Sequence, residues 1–483
     1  NPKNISRIND WWDDNQKAKV NYAGWLGGSG SLGYTGDVLL TDSEYNDIGE
    51  EYPAGTETIY VQVYDSDVTG SLDVLLTSTT DTEGETVTLT EVLDLPGTFR
   101  GSISTVNASR VLVDEDLLEE RIAQLRLEHP DHNDKDLEIR AHGQLAEEAI
   151  NNPPTQSSLR SDGVLQSTSG DIITVSYEDV LNDYGNAETI SASAIYGGWS
   201  GDVSGTWTAS GSPYVITGDI YLPSGESLII EPGVEIRFYG GFAFYIYGSL
   251  IAEGSENDSI YFKNHVDDPN DALENWHGIR FFGWQNADQY TMSYTSISGT
   301  NDAGLYLYDV YETTVSMAHS TSQNNPWAGI YISWIYEYEN PVVISNCRFI
   351  NNQIGMYHNY TGYGNRFNVQ SSLFGNNTER GLYHDNMAGG SFSNCSFINN
   401  NEQGIYISAN ADLEHTSFLN SNLFGNGANE EVYVSCCNEE NIQAEINIQL
   451  SNWGEETTAE MNEGANPKNI SRINDWWDDN QKA

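Results

Sequence analysis

A short glycine motif recurs through the second half of the chain at a nearly constant interval. Gly-apolar-Tyr begins at Gly304, Gly329, Gly355, Gly381 and Gly404, and successive glycines are 23 to 26 residues apart. Two related triplets, Gly-Ile-Arg at Gly278 and Glu-Val-Tyr at Glu431, extend the series. Repeats of this length are typical of solenoids, in which each unit buries its apolar residues only against its neighbours. The motif therefore predicts a stack of coils of about 25 residues each.

A second motif runs in step with the first. It reads NCRFINN, SSLFGNN, NCSFINN and SNLFGNG, and its phenylalanines are Phe349, Phe374, Phe397 and Phe424. Two strand-like motifs in each period, separated by corners rich in Asn and Gly, predict several short strands per coil. This pattern indicates a parallel β-helix.

The start of this region carries a family resemblance. The stretches SGESLIIEPGVEIRF and GSLIAEGSENDSIYF resemble the N-terminal entry of right-handed parallel β-helix proteins, the pectin-lyase-like superfamily. The resemblance covers about 240 residues, from Pro213 to Leu450, and implies the fold. It does not imply one activity, because lyases, hydrolases, epimerases, adhesins and structural proteins share this coil.

The preceding region alternates apolar and polar residues, which is typical of half-buried strands. Examples are TETIYVQVYDSDV and GETVTLTEV. Between such strands Leu118, Ile122 and Leu125 recur at helical spacing, so we expect a helical insertion at about residues 113–151. The strand pattern resembles a β-sandwich module repeated in large prokaryotic surface proteins. The predicted fold class is therefore all-β dominant: a β-sandwich at 32–186 with the insertion, and a parallel β-helix at 187–465.

The two ends of the chain have the same sequence. NPKNISRINDWWDDNQKA spans Asn1–Ala18 and recurs without a mismatch as Asn466–Ala483. We interpret residues 1–31 as a Trp-rich linker or docking segment and residues 466–483 as its second copy, with Trp11, Trp12, Trp476 and Trp477 as contact residues. The first residues are Asn-Pro, not Met, so we expect a piece of a longer protein.

A tandem array with a 465-residue period would explain the identical ends. The function predicted from it is a structural repeat unit of an extracellular filament or giant cell-surface protein. Such a unit has copies of itself as partners, joined head-to-tail. The alternatives are a secreted polysaccharide-binding or polysaccharide-modifying β-helix protein, or an adhesin that binds an extracellular glycan.

Charge narrows the set of partners. The chain has 71 acidic and 20 basic residues, a net charge of −51. Such a chain repels nucleic acid and anionic membrane surfaces, so we expect neither as a partner. It also lacks an apolar run of about 18 residues, so we expect no membrane insertion in this segment and a location outside the cell or at its surface.

The tyrosines of the glycine motif form the first candidate site. Because the flanking apolar residues face inward, the tyrosines should face outward and stack from coil to coil. Three roles stay open: packing against a subunit or domain, stabilisation of the ladder itself, and stacking of glycan rings. The residues are Tyr306, Tyr331, Tyr357, Tyr383, Tyr406 and Tyr433.

Two histidines form the second candidate site. His358 and His384 each lie three residues after a motif glycine and should stack one coil apart. They predict either a metal-binding or acid–base pair, or a polar patch where the strand ends. The carboxylate set that polysaccharide cleavage requires does not recur on adjacent coils, so the sequence does not predict an enzyme.

The sequence also suggests calcium as a possible cofactor. Loops of the predicted sandwich carry Asp42, Asn46, Asp47, Asp179 and Asp183, which would provide oxygen ligands if the loops converge. A solvated acidic surface is the alternative. Cys347 and Cys395 should lie two coils, about 9.6 Å, apart, which is too far for a disulfide.

Overall fold

The structure is a computed structural model of the 483-residue chain. It describes the following residues: 33–49, 51–53, 56–107, 113–130, 132–152, 163–265, 275–283, 289–310, 313–335, 342–359, 367–385, 389–408, 415–427, 430–435, 446–463, 470 and 472–474.

The chain forms two compact units. The first comprises Asn1–Ala108 and Thr155–Gly197, and the second comprises Ser109–Pro154 and Gly198–Ala483. The helical segment thus belongs to the second unit, although the sequence analysis placed it inside the sandwich module. Among the described residues, no helix has the length and hydropathy of a membrane span.

The strands of the first unit pair into one continuous sheet of nine strands. Residues alternate between buried and exposed along them, as in Thr58–Tyr64, where Ile59, Val61 and Val63 are fully buried. Their inward side chains form one core. A division into two facing sheets stays a prediction. The strands are Asp37–Thr41, Glu51–Tyr52, Thr58–Tyr64, Ser71–Thr77, Glu85–Glu91, Thr98–Asn107, Val164–Ser167, Ile172–Asp179 and Glu188–Tyr196.

The second unit is a parallel β-helix, which confirms the fold predicted from the glycine motif. Each coil contributes one short strand to each of three ladders, which we call faces 1, 2 and 3. Face 1, which carries the glycine motif, contains Trp199–Asp202, Tyr214–Leu222, Phe244–Ile246, Ile279–Phe282, Leu305–Val310, Ala328–Ile335, Ile354–His358, Arg380–His384, Ile405–Ser408, Val432–Ser435 and Ile473–Asn474.

The other two faces complete the coils. Face 2 contains Gly205–Trp207, Ser227–Ile230, Ser249–Glu253, Gln289–Ser293, Thr314–Ala318, Val342–Ser345, Phe367–Gln370, Gly390–Ser393 and Thr416–Leu419. Face 3 contains Glu235–Phe238, Ile260–Asn264, Thr295–Ser298, Thr321–Gln323, Arg348–Ile350, Leu373–Gly375, Ser396–Ile398 and Asn422–Phe424.

Equivalent side chains stack inside the β-helix. Phe349, Phe374 and Phe397 lie one above another, with neighbouring ring centroids 5.2 and 4.9 Å apart and nearly parallel rings. Cys347 and Cys395 are buried and free. Three phenylalanines of the second motif thus form one column of the core. The fourth, Phe424, pairs with Ile398 and is half-buried, and Leu423 takes the next position of the column.

Two helices of the predicted insertion form a hairpin: α1 (Glu115–Glu128) and α2 (Asp134–Asn151). Asp114 and Asn133 cap their N-termini by accepting hydrogen bonds from backbone N–H groups. A third helix, α3 (Gly454–Asn462), follows the last described strand of face 3. α2 is buried on two sides: Leu137 and Ala141 pack against Leu125 of α1, and Ile139, Leu145 and Ala146 pack in a second cluster with residues of face 1.

Candidate assembly site at the end of the β-helix

The tyrosines of the glycine motif occupy equivalent positions on successive strands of face 1. Strand pairing aligns them in one column, which we call the tyrosine ladder. The column runs through Tyr245, Arg280, Tyr306, Tyr331, Tyr357, Tyr383, Tyr406 and Tyr433, and its last backbone position is Asn474.

The hairpin covers the first half of the ladder. Tyr306 and Tyr331 are fully buried, so the expectation of an exposed strip is wrong for these two residues. They pack in one apolar cluster with Ile139, Leu145 and Ala146 of α2. The sequence did not reveal this cover, because the hairpin precedes the tyrosines by more than 150 residues.

A buried carboxylate fastens α2 to face 1. Asp136 is 1% exposed and accepts hydrogen bonds from the Tyr331 hydroxyl at 2.6 Å and the Asn359 side-chain amide at 2.7 Å. Burial raises the pKa of Asp136 to about 6, although the hydrogen bonds from Tyr331, Ser333 and Trp334 favour the ionised form. Lys135 forms an ion pair with Asp302, and the Tyr247 hydroxyl donates to the Gly143 carbonyl at 2.9 Å.

The second half of the ladder is a stack of half-buried rings. Ring centroids of Tyr357 and Tyr383 are 4.5 Å apart, those of Tyr383 and Tyr406 are 4.8 Å apart, and those of Tyr406 and Tyr433 are 5.2 Å apart. The rings lie within 18° of parallel, and the Arg380 guanidinium is 4.7 Å from the Tyr406 centroid. The ring faces therefore contact each other or Arg380. Of the three roles left open by the sequence, this arrangement favours the second, in which the stacked tyrosines stabilise the ladder itself.

A column of buried asparagines runs beside the glycine motif. In most steps the backbone N–H and the side-chain amide of one asparagine both donate to Oδ1 of the next, at 2.8 to 3.1 Å. The members of this asparagine ladder are Asn325, Asn352, Asn377, Asn400 and Asn426. The Asn-rich corners of the second motif were a visible signal of this ladder.

The asparagine ladder explains the glycine at the start of each motif. A Cβ on Gly381 would lie 2.9 Å from Nδ2 of Asn400 and 2.6 Å from the Gly404 carbonyl oxygen. Gly355 and Gly404 have equivalent close neighbours. The backbone approaches the ladder so closely that a side chain would displace it.

Glu431 ends the asparagine ladder. The residue is 2% exposed, and its carboxylate accepts hydrogen bonds from the Asn426 side chain at 2.6 Å and the Asn426 backbone N–H at 3.3 Å. The Arg472 guanidinium lies 2.8 Å from the same carboxylate and also donates to the carbonyls of Asn426 and Gly427. A buried acidic group at the coil end is thus neutralised by one arginine.

That arginine belongs to the second copy of the repeated segment. Ile473–Asn474 pairs in parallel with face 1, opposite Val432 and Tyr433, and Ile470 is buried. Single bridges place Asn447 beside Ser417 on face 2 and Asn452 beside Asn422 on face 3. The described residues 446–463, 470 and 472–474 therefore contribute to one more coil, and the repeated segment provides its face 1 strand. We call the position that Arg472 and Ile473–Asn474 occupy the end site.

Sequence reasoning missed Glu431, Arg472 and Asp136. It interpreted Glu431 only as a variant of the glycine motif, and it selected the tryptophans of the repeated segment. Trp11, Trp12, Trp476 and Trp477 lie outside the described residues.

The two predicted histidines lie inside the β-helix. Nδ1 of His358 and Nδ1 of His384 are 3.1 Å apart, and both side chains are fully buried. Burial, with His384 nearby, lowers the pKa of His358 well below its usual value, so one neutral ring donates and the other accepts. Nε2 of His384 lies 3.1 Å from the Thr416 hydroxyl. The pair is part of the interior.

The residues predicted to bind calcium do not converge. Asp42 follows the strand Asp37–Thr41 and accepts hydrogen bonds from the N–H groups of Glu44 and Asn46. Asp179 accepts from Gly36, which precedes that strand, and Asp183 accepts from Thr35. The strand separates the two groups by roughly 15 Å. Asp47 forms a backbone bridge with Thr41 and so lies at the same end of the strand as Asp42. The expected convergence is therefore wrong.

Within the part of the chain that the structure describes, no group of three or more His, Cys, Asp or Glu side chains is arranged to hold a metal ion.

Comparisons with known proteins were made for the whole chain. No family model matches it, and no curated protein is similar to it. Among solved structures, the mannuronan C-5 epimerase AlgE4 A-module of Azotobacter vinelandii is 15% identical, covering 45% of this chain and 72% of that chain, with a TM-score of 0.28.

The periplasmic alginate epimerase AlgG is also similar, in two mutant forms. A double mutant is 14% identical, covering 46% of this chain and 64% of that chain, with a TM-score of 0.22. A single mutant is 14% identical, covering 49% of this chain and 68% of that chain, with a TM-score of 0.21. At such distances the similarity assigns no activity to this chain.

Proposed function

We propose that the chain is a structural repeat unit of an extracellular filament or giant cell-surface protein, and that its units join head-to-tail. One observation carries the proposal: the second copy of the repeated segment provides the last strand of the β-helix. In a tandem array this segment would connect each β-helix to the next unit. Because this segment pairs with the last coil of one unit, it would hold the first residues of the next unit against that coil.

Charge supports a joining role for the repeated segment. The 18-residue sequence has three basic and three acidic residues, so it is neutral within a chain of net charge −51. Strongly acidic units repel each other in solution. A neutral segment that presents Arg472 to a buried glutamate can hold the acidic end of a β-helix without adding repulsion.

The first test is the size of the native material after boiling in denaturant and reductant. A covalent array predicts material far larger than one repeat, whose mass is close to the 53.5 kDa of this chain. A band near one repeat, from material whose native size is also that of one chain, would contradict the proposed function. A small denatured band from large native material would mean that the units join without covalent bonds.

Glycan binding by the second half of the tyrosine ladder is the alternative. Tyr383, Tyr406 and Tyr433 are half-buried on face 1 and accessible in part. We rank this function second because sugars stack on exposed ring faces, whereas these rings stack on each other. If a Tyr406→Ala variant loses affinity for an acidic polysaccharide such as alginate while its fold is retained, the ranking reverses.

A further inference from the structure

We infer that the end site is a receptor for the first copy of the repeated segment, Asn1–Ala18, from another molecule of this chain. The inference rests on the proposed function and names the contact that would join two units without a covalent bond. The first copy is identical to the segment whose residues now occupy the site. Ile5, Arg7 and Ile8 of the first copy correspond to Ile470, Arg472 and Ile473.

The contacts at the end site are of a kind that a separate segment can make. Backbone pairing with Val432 and Tyr433 adds one strand to an open edge, which is how extended peptides bind exposed sheet edges. The Glu431 carboxylate then selects the segment, because Arg472 forms its ion pair and also reaches the carbonyls of Asn426 and Gly427. Burial of Ile470 adds an apolar anchor.

The acidic group gives the site its specificity. Glu431 is almost fully buried and holds the last asparagine of the ladder. In the absence of an arginine, its carboxylate would keep only the amide donors of Asn426, so a guanidinium adds a charge-assisted hydrogen bond that no neutral side chain provides. An end site that has lost its own second copy should therefore bind another arginine-bearing copy of the segment.

Competition with the second copy of the same chain determines when exchange occurs. A segment attached to the chain acts at an effective concentration on the order of millimolar. A free copy at micromolar concentration would seldom displace it. Exchange is expected where the second copy is weakened, and this requirement determines the design of the test.

The experiment uses full-length chains in which both copies carry the reversed charge, Arg7→Glu and Arg472→Glu. A fluorescently labelled synthetic peptide with the sequence of Asn1–Ala18 is titrated with this chain and followed by fluorescence anisotropy. We expect it to bind at least roughly tenfold tighter than the same peptide with Arg7→Glu, because only the former places a cation beside Glu431. The wild-type chain should bind the peptide more weakly than the variant chain, because its own second copy competes.

Two further chains guard against loss of the site through misfolding. The first adds Glu431→Gln to the chain with Arg7→Glu and Arg472→Glu. Glutamine keeps an oxygen acceptor for Asn426 but has no charge, so the wild-type and Arg7→Glu peptides should bind this chain with equal affinity. A chain with Arg7→Ala and Arg472→Ala, which introduces no new charge, should also bind the wild-type peptide. If the two peptides bind equally, or if neither binds to either doubly substituted chain while their circular dichroism and melting match the wild type, the inference is wrong.

Failure of this inference is distinguishable from failure of the proposed function. Native material that is one covalent polymer, together with a peptide that does not bind, would retain the function and reject exchange between molecules. Specific peptide binding together with native material of one-chain size would support the receptor and reject the array.

Discussion

The Tyr331 hydroxyl donates a 2.6 Å hydrogen bond to the carboxylate of Asp136, a residue 195 positions earlier in the chain. Both groups are buried, and Asn359 donates to the other carboxylate oxygen at 2.7 Å. This bond joins α2 to the tyrosine ladder. It makes the attachment of the hairpin sensitive to the charge on one side chain.

The first prediction concerns pH. The pKa of Asp136 is about 6 in the folded chain, above its ordinary value of 3.8, so folding favours the protonated form. Its contribution to stability is therefore fully present below about pH 4, decreases as pH rises, and is lost above about pH 6. The change corresponds to an upper limit on the order of 3 kcal/mol.

Hydrogen exchange of α2 amides between pH 4 and 7, corrected for intrinsic rates, measures this effect. Burial lowers the pKa of His277 to about 4 and that of His142 in α2 well below its usual value, so both oppose the effect of Asp136 as pH rises to about 6.5. Asp136→Asn is the control, because its amide does not titrate while both histidines remain. The difference in α2 protection between the two chains therefore isolates Asp136, and it should decrease from pH 4 to 7. Equal pH dependence in both chains would show that Asp136 is not the responsible group.

The second prediction concerns the asparagine ladder. Asn400→Ala removes the acceptor for both donors of Asn377 and the donor to the Phe374 carbonyl. Several buried groups lose their partners, so we expect a loss of about 3 kcal/mol or more in the free energy of unfolding. Chemical denaturation measures it. Asn401→Ala, at an exposed neighbouring position, should cost less than about 0.5 kcal/mol.

If the two alanine variants unfold at the same denaturant concentration, the ladder does not contribute as the geometry implies. Because unfolding of a solenoid can begin at one end, the slope of the transition should be compared as well as its midpoint.

The third prediction concerns the glycine of the motif. Gly381→Ala places a Cβ 2.6 Å from the Gly404 carbonyl oxygen and 2.9 Å from Nδ2 of Asn400. Since the first neighbour is backbone, the coils must separate, and we expect a cost of about 2 to 4 kcal/mol. Denaturation of Gly381→Ala, Asn400→Ala and the double variant measures it. The two costs should not add, because the substitutions share a contact; simple additivity would contradict this account.

Sequence reasoning could predict what repeats and could not predict what occurs once. The glycine interval gave the coil, and pairing of Tyr357 with Tyr383 and of His358 with His384 follows from it directly. Asp136 with Tyr331 and Glu431 with Arg472 are single contacts between distant segments, so no periodic signal marks them. Helical spacing predicted the helical insertion, but no pattern showed that α2 packs on face 1 and buries Tyr306 and Tyr331.

The fourth prediction concerns the two interior cysteines. Burial raises the pKa of Cys347 to about 12 and that of Cys395 to about 11, and both are free. Because the thiolate is the reactive form, both should resist thiol reagents in the native state. The chain has two further cysteines, Cys436 and Cys437, which are replaced by serine for this test. Maleimide labelling of that variant, read by peptide mass spectrometry, measures the reactivity of Cys347 and Cys395. Rapid native labelling of both, at rates equal to those in denaturant, would contradict the packed interior.

The last prediction concerns the attachment of the repeated segment. Trypsin cleaves after arginine and lysine only where the backbone can open, so Arg472, held by Glu431 and by strand pairing at Ile473, should be cleaved slowly in the native chain. Arg472→Lys keeps a trypsin site but loses the forked guanidinium that reaches Glu431 and the Asn426 carbonyl. We expect cleavage after position 472 to be roughly tenfold faster in this variant, which corresponds to about 1.4 kcal/mol of lost attachment. Cleavage within the hairpin serves as the internal control, because the substitution should not change it. Equal rates after position 472 in both chains would mean that the ion pair does not hold the segment at the end site.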